Sequence, residues 1–207
     1  MKKLLVRAML IVMMVVKAYH VDIIELPQED LFVVDNEEDR EVLEEAYAKL
    51  PEEVKEAFEA EHGQIVLLPA DTDLPEYLGD KVSDDVKEYN NKTNGKIIGK
   101  YENTTDKIYI VNTNKEEVQS TLIHEMGHFV GDNGSVIDKL MLVDVNHYTD
   151  EWQETWVNEG QYASSYAALS DAEGFAEGFK FMVIEEDRYE LWYPQSYAYI
   201  QECINNL

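Results

Sequence analysis

The sequence predicts an α+β fold, with a small mixed sheet and helices in the N-terminal part and a helical C-terminal part. Short β-type runs alternate with amphipathic helical stretches as far as residue 112, and helical spacing dominates from Asn114 onward. The chain has 207 residues, 45% of them hydrophobic, which is enough to bury a core. This length suits one compact domain, or one domain with a leader.

Charge and cysteine content exclude several classes of protein. The chain has 17 Lys and Arg against 43 Asp and Glu, for a formal net charge of −26. Such an excess argues against nucleic-acid binding, which needs clustered cations. The single cysteine, Cys203, can form neither an internal disulfide nor a Cys-based zinc module. Any metal site must therefore be built from histidines and carboxylates.

The first 18 residues are typical of a secretory signal peptide. Three basic residues precede the apolar run from Ala8 to Val16, and no acidic residue is present. This run is shorter than the roughly 20 residues that span a bilayer. Small or β-branched residues at 16 and 18 favour cleavage after Ala18. We therefore expect residues 1–18 to be a signal peptide and 19–207 a single secreted domain with no stable membrane association.

Strands and helices alternate in the first part of the predicted domain. The β-type runs 21–26 and 31–34 are expected to pair in a small sheet. Helical spacing over 37–50 predicts one helix, and Pro51 is well placed to begin a second. Residues 64–69 are predicted to form a buried strand.

The middle of the chain is less regular. Residues 70–95 are rich in Asp, Asn and Lys and predict a loop with one short helix. Runs 96–101 and 107–112 are expected to form a hairpin around the turn-prone residues 103–106. The acidic and aromatic stretch 143–168 gives no clear pattern.

The strongest chemical signal is a match to H-E-x-x-H at His124, Glu125 and His128. Asn114 and Glu117 form an N-cap pair ahead of it, so the motif is predicted to lie within a helix. The apolar stripe of this helix comprises Val118, Leu122, Ile123, Met126, Phe129 and Val130. On a helix, residues four apart share one face, so both imidazoles can bind one ion while Glu125 reaches a water on it. Zinc suits such a site.

A third ligand must come from elsewhere in the chain. The metzincin pattern fails because Gly134 stands where a histidine is needed, and His147 lies in a turn-like stretch. The candidate carboxylates are Glu151, Glu154, Glu159, Glu173 and Glu177. Of these, Glu173 and Glu177 lie on one face of a clean helical pattern, so either could bind the ion while the other holds an imidazole N–H.

Two alternatives to Glu173 as a ligand stay open on the residue pattern. Ser170 to Glu173 also reads as a capping box, in which Glu173 only caps its own helix. A thermolysin-like arrangement would instead use Glu159, which lies in a weakly helical stretch.

Four segments resemble one known family, the zinc peptidase domain of anthrax lethal factor and its relatives, which include secreted Pro-Pro endopeptidases. Residues 124–128 resemble its H-E-x-G-H helix start, and 164–166 its Ser-Tyr element. Residues 173–179 resemble its E-F-F-A-E-x-F helix, and 195–200 its closing segment. In this chain Gly174 replaces a bulky aromatic residue of the family helix.

The resemblance implies a zincin-like metallopeptidase fold and a role for each matching residue. His124, His128 and Glu173 would bind one Zn²⁺ per chain, with Glu125 as general base. Tyr166 would stabilise the oxyanion, as the remaining catalytic group. Glu177 would support the ligands from outside the coordination sphere.

The resemblance also implies a substrate and a way to bind it. The substrate would be a protein or peptide, lying extended along an exposed edge strand such as 107–112. The alternative is a catalytically inactive family member that acts as a binding or regulatory module.

Overall fold

The computed structural model describes residues 30–79, 95–134, 150–160 and 163–207. The predicted signal peptide and the predicted strand 21–26 lie outside these ranges, as does His147.

Within the described ranges, four strands form one mixed sheet. They are β1 (Phe32–Val33), β2 (Gln64–Leu68), β3 (Gly99–Glu102) and β4 (Lys107–Val111). Their order is β1-β2-β4-β3, in which β1, β2 and β4 run parallel and β3 is antiparallel to β4. The predicted small mixed sheet is therefore confirmed, and the run at 31–34 supplies β1, opposite β2.

The predicted hairpin is confirmed, but its second strand does not lie at an edge. Tyr101 stands opposite Ile108, and the turn contains Asp106 in the left-handed region at φ 50°. Because β4 pairs with β2 on its other side, the prediction that residues 107–112 offer an edge to a peptide is wrong. In the sheet as described, β3 is the outer strand at this end. Alternation of side chains marks a strand but does not tell which neighbours it will have.

Three helices accompany the first strands. Helix α1 spans Glu37–Tyr47 and is capped by Asn36, whose Oδ1 accepts a hydrogen bond from the amide of Asp39 at 2.9 Å. Helix α2 spans Glu52–Ala60, directly after Pro51, and α3 is the short helix Leu74–Tyr77. The predicted first helix, 37–50, was thus three residues too long.

The C-terminal part is helical, as predicted. Its helices are α4 (Lys115–Gly134), α5 (Asp150–Glu159), α6 (Asp171–Ile184), α7 (Glu186–Trp192) and α8 (Pro194–Asn205), with a 3₁₀ turn at Ala167–Leu169 before α6. Helix α5 falls in the stretch for which the sequence showed no pattern. It is held by Trp152, which is buried and packs edge-on against Phe175 of α6 at 5.2 Å. None of the described helices is long and apolar enough to cross a membrane.

Helix α4 lies at the centre of the fold. It contacts α1, β3, β4, α6 and α8. Its N-terminus is capped as predicted, since Asn114 Oδ1 accepts from the amide of Glu117 at 3.0 Å. The core around it includes four fully buried rings, those of Phe58, Phe129, Phe175 and Phe179. A buried central helix gives the H-E-x-x-H side chains a rigid base.

Gly127, inside the motif, allows α4 and α6 to approach closely. A Cβ atom at this position would lie 2.8 Å from the Cα and 3.0 Å from the carbonyl oxygen of Ala176. Backbone atoms cannot move aside as a flexible side chain can. The absence of a side chain at 127 therefore sets the distance between the two helices that carry the candidate ligands.

We expect Gly127→Ala to lower the free energy of unfolding by about 1–3 kcal/mol, because the added methyl overpacks a helix interface. Helix propensity alone would favour alanine by about 1 kcal/mol. Urea denaturation measures whether the free energy of unfolding falls or rises in the variant. Gly174→Ala is the comparison for a milder overlap on the partner helix, since the nearest atom to its Cβ would be the Ala167 carbonyl oxygen at 3.1 Å, and we expect a smaller loss there. A stabilised Gly127→Ala protein would contradict the close-packing argument.

Candidate metal centre

The structure brings together the two motif histidines and one carboxylate. Helix α4 presents His124 and His128 one turn apart, with ring centroids 4.9 Å from each other. Helix α6 presents Glu173, whose Oε2 lies 3.1 Å from His124 Nε2 and 3.4 Å from His128 Nε2. One ligand atom from each residue lies within 4.8 Å of the other two. These three residues thus form a cluster that could hold a metal ion.

Glu173 uses different atoms for capping and for the cluster. Its backbone amide donates to Ser170 Oγ at 3.2 Å, so Ser170 is the N-cap of α6. Its carboxylate faces the two histidines instead of turning back to the cap. The capping box is therefore only half formed, and the side chain of Glu173 is left for the site.

Glu177 holds His124 from the side opposite to Glu173. Its Oε1 lies 2.9 Å from His124 Nδ1, and its Oε2 accepts a hydrogen bond from Ser164 Oγ at 2.7 Å. Lys180, one turn further along α6, pairs with the same carboxylate. A neutral imidazole that donates its Nδ1 proton to Glu177 would carry its lone pair on Nε2, the ring atom nearest Glu173, where it could bind a cation.

The electrostatics of the cluster follow from these contacts. Burial by itself would lower the pKa of His124, but the hydrogen bonds to Glu173 and Glu177 and the charge of Glu125 raise it to about 9. Burial would raise the pKa of Glu177, yet His124 and Lys180 lower it to about 2. The pKa of Glu173 is likewise well below its usual range, since the two histidines outweigh its burial. Both carboxylates are thus charged at neutral pH and attract a cation.

Glu125 lies beside the cluster at the edge of the sheet. Its side chain is buried, with 6% of the residue exposed. Its Oε2 accepts a hydrogen bond from the backbone amide of Tyr101 in β3 at 2.7 Å. The carboxylate therefore points from α4 toward the strand that borders the site.

Tyr166 approaches the cluster from the turn before α6. Its ring lies 5.6 Å from that of His124. The turn is fastened by Ser164, whose Oγ accepts from the amide of Ala167 at 3.0 Å while it donates to Glu177. Burial, followed by the negative charges of Glu173 and other nearby carboxylates, raises the pKa of Tyr166 well above its usual range. Its phenol thus stays protonated and able to donate a hydrogen bond.

The other carboxylates considered as ligands lie elsewhere. Glu159 accepts hydrogen bonds from the amides of Gln195 at 2.7 Å and Ser196 at 3.2 Å, and so caps α8. Glu151 and Glu154 are exposed on α5. The thermolysin-like alternative is therefore not supported, because the carboxylate it needs is used at a helix N-terminus.

Gly174 departs from the family helix for a visible reason. A Cβ atom there would point toward the Ala167 carbonyl and the indole ring of Trp152. Trp152 also donates from Nε1 to the carbonyl of Asp171 at 3.0 Å. An aromatic ring from α5 thus packs beside the position where the family has an aromatic residue on α6.

A cleft of about 180 Å³ opens beside the cluster. The cleft is lined by residues 96–99, Ser120, Thr121, His124, Tyr166, Glu177 and Lys180. Sequence reasoning missed the contribution of Lys180, the contacts of Ser164 and the amide of Tyr101. The spacing of Lys180 one turn after Glu177 could have indicated the first of these, whereas the other two depend on contacts between distant parts of the chain.

Comparisons with known proteins agree with this geometry. The family described as "Anthrax toxin lethal factor, N- and C-terminal domain" matches residues 13–203. The structure of the Pro-Pro endopeptidase PPEP-2 from Paenibacillus alvei has a similar fold, with a TM-score of 0.57 and 19% sequence identity. The match covers 84% of this chain and 98% of that one. No curated protein matches the chain.

Proposed function

This chain belongs to the anthrax toxin lethal factor family, and on that basis we propose that it is a zinc-dependent metalloendopeptidase acting on a protein or peptide substrate. The observation that carries the proposal is the convergence of His124, His128 and Glu173 next to Glu125. Two imidazoles and one carboxylate make up one of the sets of three protein ligands found in catalytic zinc sites, where a fourth position stays open.

The distances in the cluster fit zinc. Two atoms bound to one tetrahedral ion at about 2.1 Å lie about 3.4 Å apart. Glu173 Oε2 lies 3.1 Å from His124 Nε2 and 3.4 Å from His128 Nε2. We therefore propose these three atoms as the zinc ligands, with one ion per chain. When bound, zinc would polarise the scissile carbonyl and acidify a water.

Glu125 and Tyr166 would transfer a proton and stabilise the developing negative charge, respectively. Glu125 would accept a proton from the attacking water on a carboxylate oxygen and deliver it to the nitrogen of the leaving amine. Tyr166, with its phenol protonated, would donate a hydrogen bond to the oxyanion that develops on the carbonyl oxygen.

Glu177 would act on His124 and not on the substrate. By accepting the Nδ1 proton it holds the imidazole in one tautomer and orients Nε2. Loss of such a partner typically weakens metal affinity by about 10–100-fold.

An extended peptide would lie along residues 96–99, the last of which begins β3. In the described sheet β3 is the outer strand, and residues 96–99 line the cleft together with His124 and Tyr166. Addition of a strand to a sheet edge supplies backbone hydrogen bonds to any sequence, so specificity would come from the cleft.

Zinc analysis and a cleavage assay test the proposed function together. We expect the purified chain to contain one zinc per molecule by elemental analysis and to cleave members of a peptide library, with cleavage abolished by a chelator and restored by Zn²⁺. Zinc without cleavage of any peptide would favour the inactive binding module. A chain that takes up no zinc after remetallation would refute the proposal.

We further propose that the protein is secreted and that its signal peptide, residues 1–18, is removed. The support is the basic start followed by the apolar run from Ala8 to Val16. N-terminal sequencing of protein recovered from the culture medium should begin at Tyr19. Recovery from cells alone, with Met1 retained, would contradict secretion.

A further inference from the structure

The Glu125 carboxylate accepts a hydrogen bond from a backbone amide on the outer edge of the sheet. The amide of Val111 in β4 donates to the carbonyl of Ile98 at 2.8 Å. Because residues alternate along an antiparallel ladder, the backbone groups of Gly99 and Tyr101 turn away from β4. The amide of Tyr101 meets the Glu125 carboxylate at 2.7 Å in a buried contact. A strand amide that would otherwise be open to water or to a peptide is thus used by this carboxylate.

The side chain of Tyr101 ties the strand to the helix that carries Glu125. Its ring packs edge-on against Phe129 of α4 at 6.0 Å. Its hydroxyl donates to Asp106 Oδ1 in the hairpin turn at 2.6 Å and accepts from Asn133 Nδ2 of α4 at 3.4 Å. Tyr101 is 4% exposed, and both contacts of its hydroxyl are partly buried. These contacts therefore fix the position of the Tyr101 amide relative to the Glu125 carboxylate.

The absence of a side chain at Gly99 makes room for the Glu125 carboxylate. A Cβ atom at this position would lie 2.5 Å from Glu125 Oε1 and would also collide with Cγ2 of Thr121. The requirement for glycine here concerns space and not backbone conformation. Any side chain at 99 would push the Glu125 carboxylate away from its present position.

We infer that β3 is a positioning element for Glu125, in which the Tyr101 amide orients the carboxylate and Gly99 keeps its place clear. Hydrogen bonds to a charged acceptor are roughly twice as strong as neutral ones, which gives this contact the strength to select one orientation. The catalytic consequence rests on the proposed function, whereas the contact itself can be tested without any activity.

Amide hydrogen exchange measured by NMR on the zinc-loaded chain tests the contact. We expect Glu125→Ala to accelerate exchange of the Tyr101 amide by about tenfold or more, the factor that corresponds to about 1.4 kcal/mol. The amide of Val111, bonded within the ladder, is the internal control and should keep its rate. Equal rates for Tyr101 in the two proteins would overturn the inference, and so would an equal acceleration at Val111, which would indicate general fraying of the hairpin.

Kinetics on Gly99→Ala test the consequence. We expect kcat to fall by about 10–100-fold, as for a misplaced proton acceptor, with KM and zinc content unchanged. Glu116→Gln, at an exposed position in the first turn of α4, is the control and should keep kcat.

A double-mutant cycle with Glu125→Asp tests whether the effect of Gly99→Ala on kcat acts through the Glu125 carboxylate. The shorter aspartate does not reach the added methyl, so Gly99→Ala should have little further effect in that background. The same loss in both backgrounds would overturn the inference. If the wild-type chain binds zinc but cleaves nothing, the proposed function fails, and the exchange rates still decide whether β3 positions Glu125.

Discussion

Replacing Glu125 with glutamine is expected to lower kcat by about a thousandfold, because an amide cannot take the proton of the attacking water. Glutamine has nearly the same shape, and its carbonyl oxygen can still accept the hydrogen bond from the Tyr101 amide. Glu125 is not one of the three clustered ligands, so zinc content should stay at one per chain. Steady-state kinetics and elemental analysis of the same preparation measure both quantities.

Glu116→Gln is the matched control for this experiment. It makes the same change on the same helix, at an exposed position in the first turn of α4. We expect it to leave kcat within about twofold, as for a surface substitution away from the site. Peptide cleavage by Glu125→Gln at the wild-type rate would refute the assignment of Glu125 as the base.

The second large effect is expected for Glu173→Gln, which should weaken zinc binding by about a hundredfold or more. The variant replaces the charged oxygen of the proposed ligand, 3.1 Å from His124 Nε2, by a neutral one that binds a dication poorly. Competition with a chromogenic chelator measures the affinity. Activity should be lost in parallel at limiting zinc and partly return at high zinc.

Glu159→Gln separates the ligand assignment from a general effect of removing a carboxylate. Glu159 caps α8, so this variant should keep its zinc and lose only about 1 kcal/mol of stability, as typical for a weakened N-cap. If zinc were lost in Glu159→Gln and kept in Glu173→Gln, the ligand assignment would be reversed.

The local features of the site could be predicted from the sequence. The H-E-x-x-H spacing places His124 and His128 on one helical face wherever that helix lies, and the Asn114–Glu117 cap marks where the helix begins. The hairpin around residues 103–106 is local in the same sense, since turn residues and alternation act within about a dozen positions.

The residue pattern favoured Glu173 and Glu177 over Glu159 but did not decide which carboxylate meets the histidines. Glu159 and Glu173 both follow the motif at long sequence separation. The structure separates them, because the Glu159 carboxylate is occupied at the N-terminus of α8 while that of Glu173 faces the histidines. The order of the strands was equally hidden, and the expectation that 107–112 forms an edge failed for that reason.

The sequence by itself determined the class of fold, the helix with its two histidines and the residue types available for a metal. Only the tertiary structure decided which carboxylate meets the histidines. It also decided that Glu177, which accepts a hydrogen bond from Ser164, contacts His124 Nδ1, and that β3 meets Glu125 through the Tyr101 amide. The physical reason is the sequence separation over which each kind of interaction acts. Helix period, caps and turns depend on neighbours a few positions apart, whereas these contacts join residues from 13 to 53 positions apart and exist only once α4, α6 and the sheet have packed.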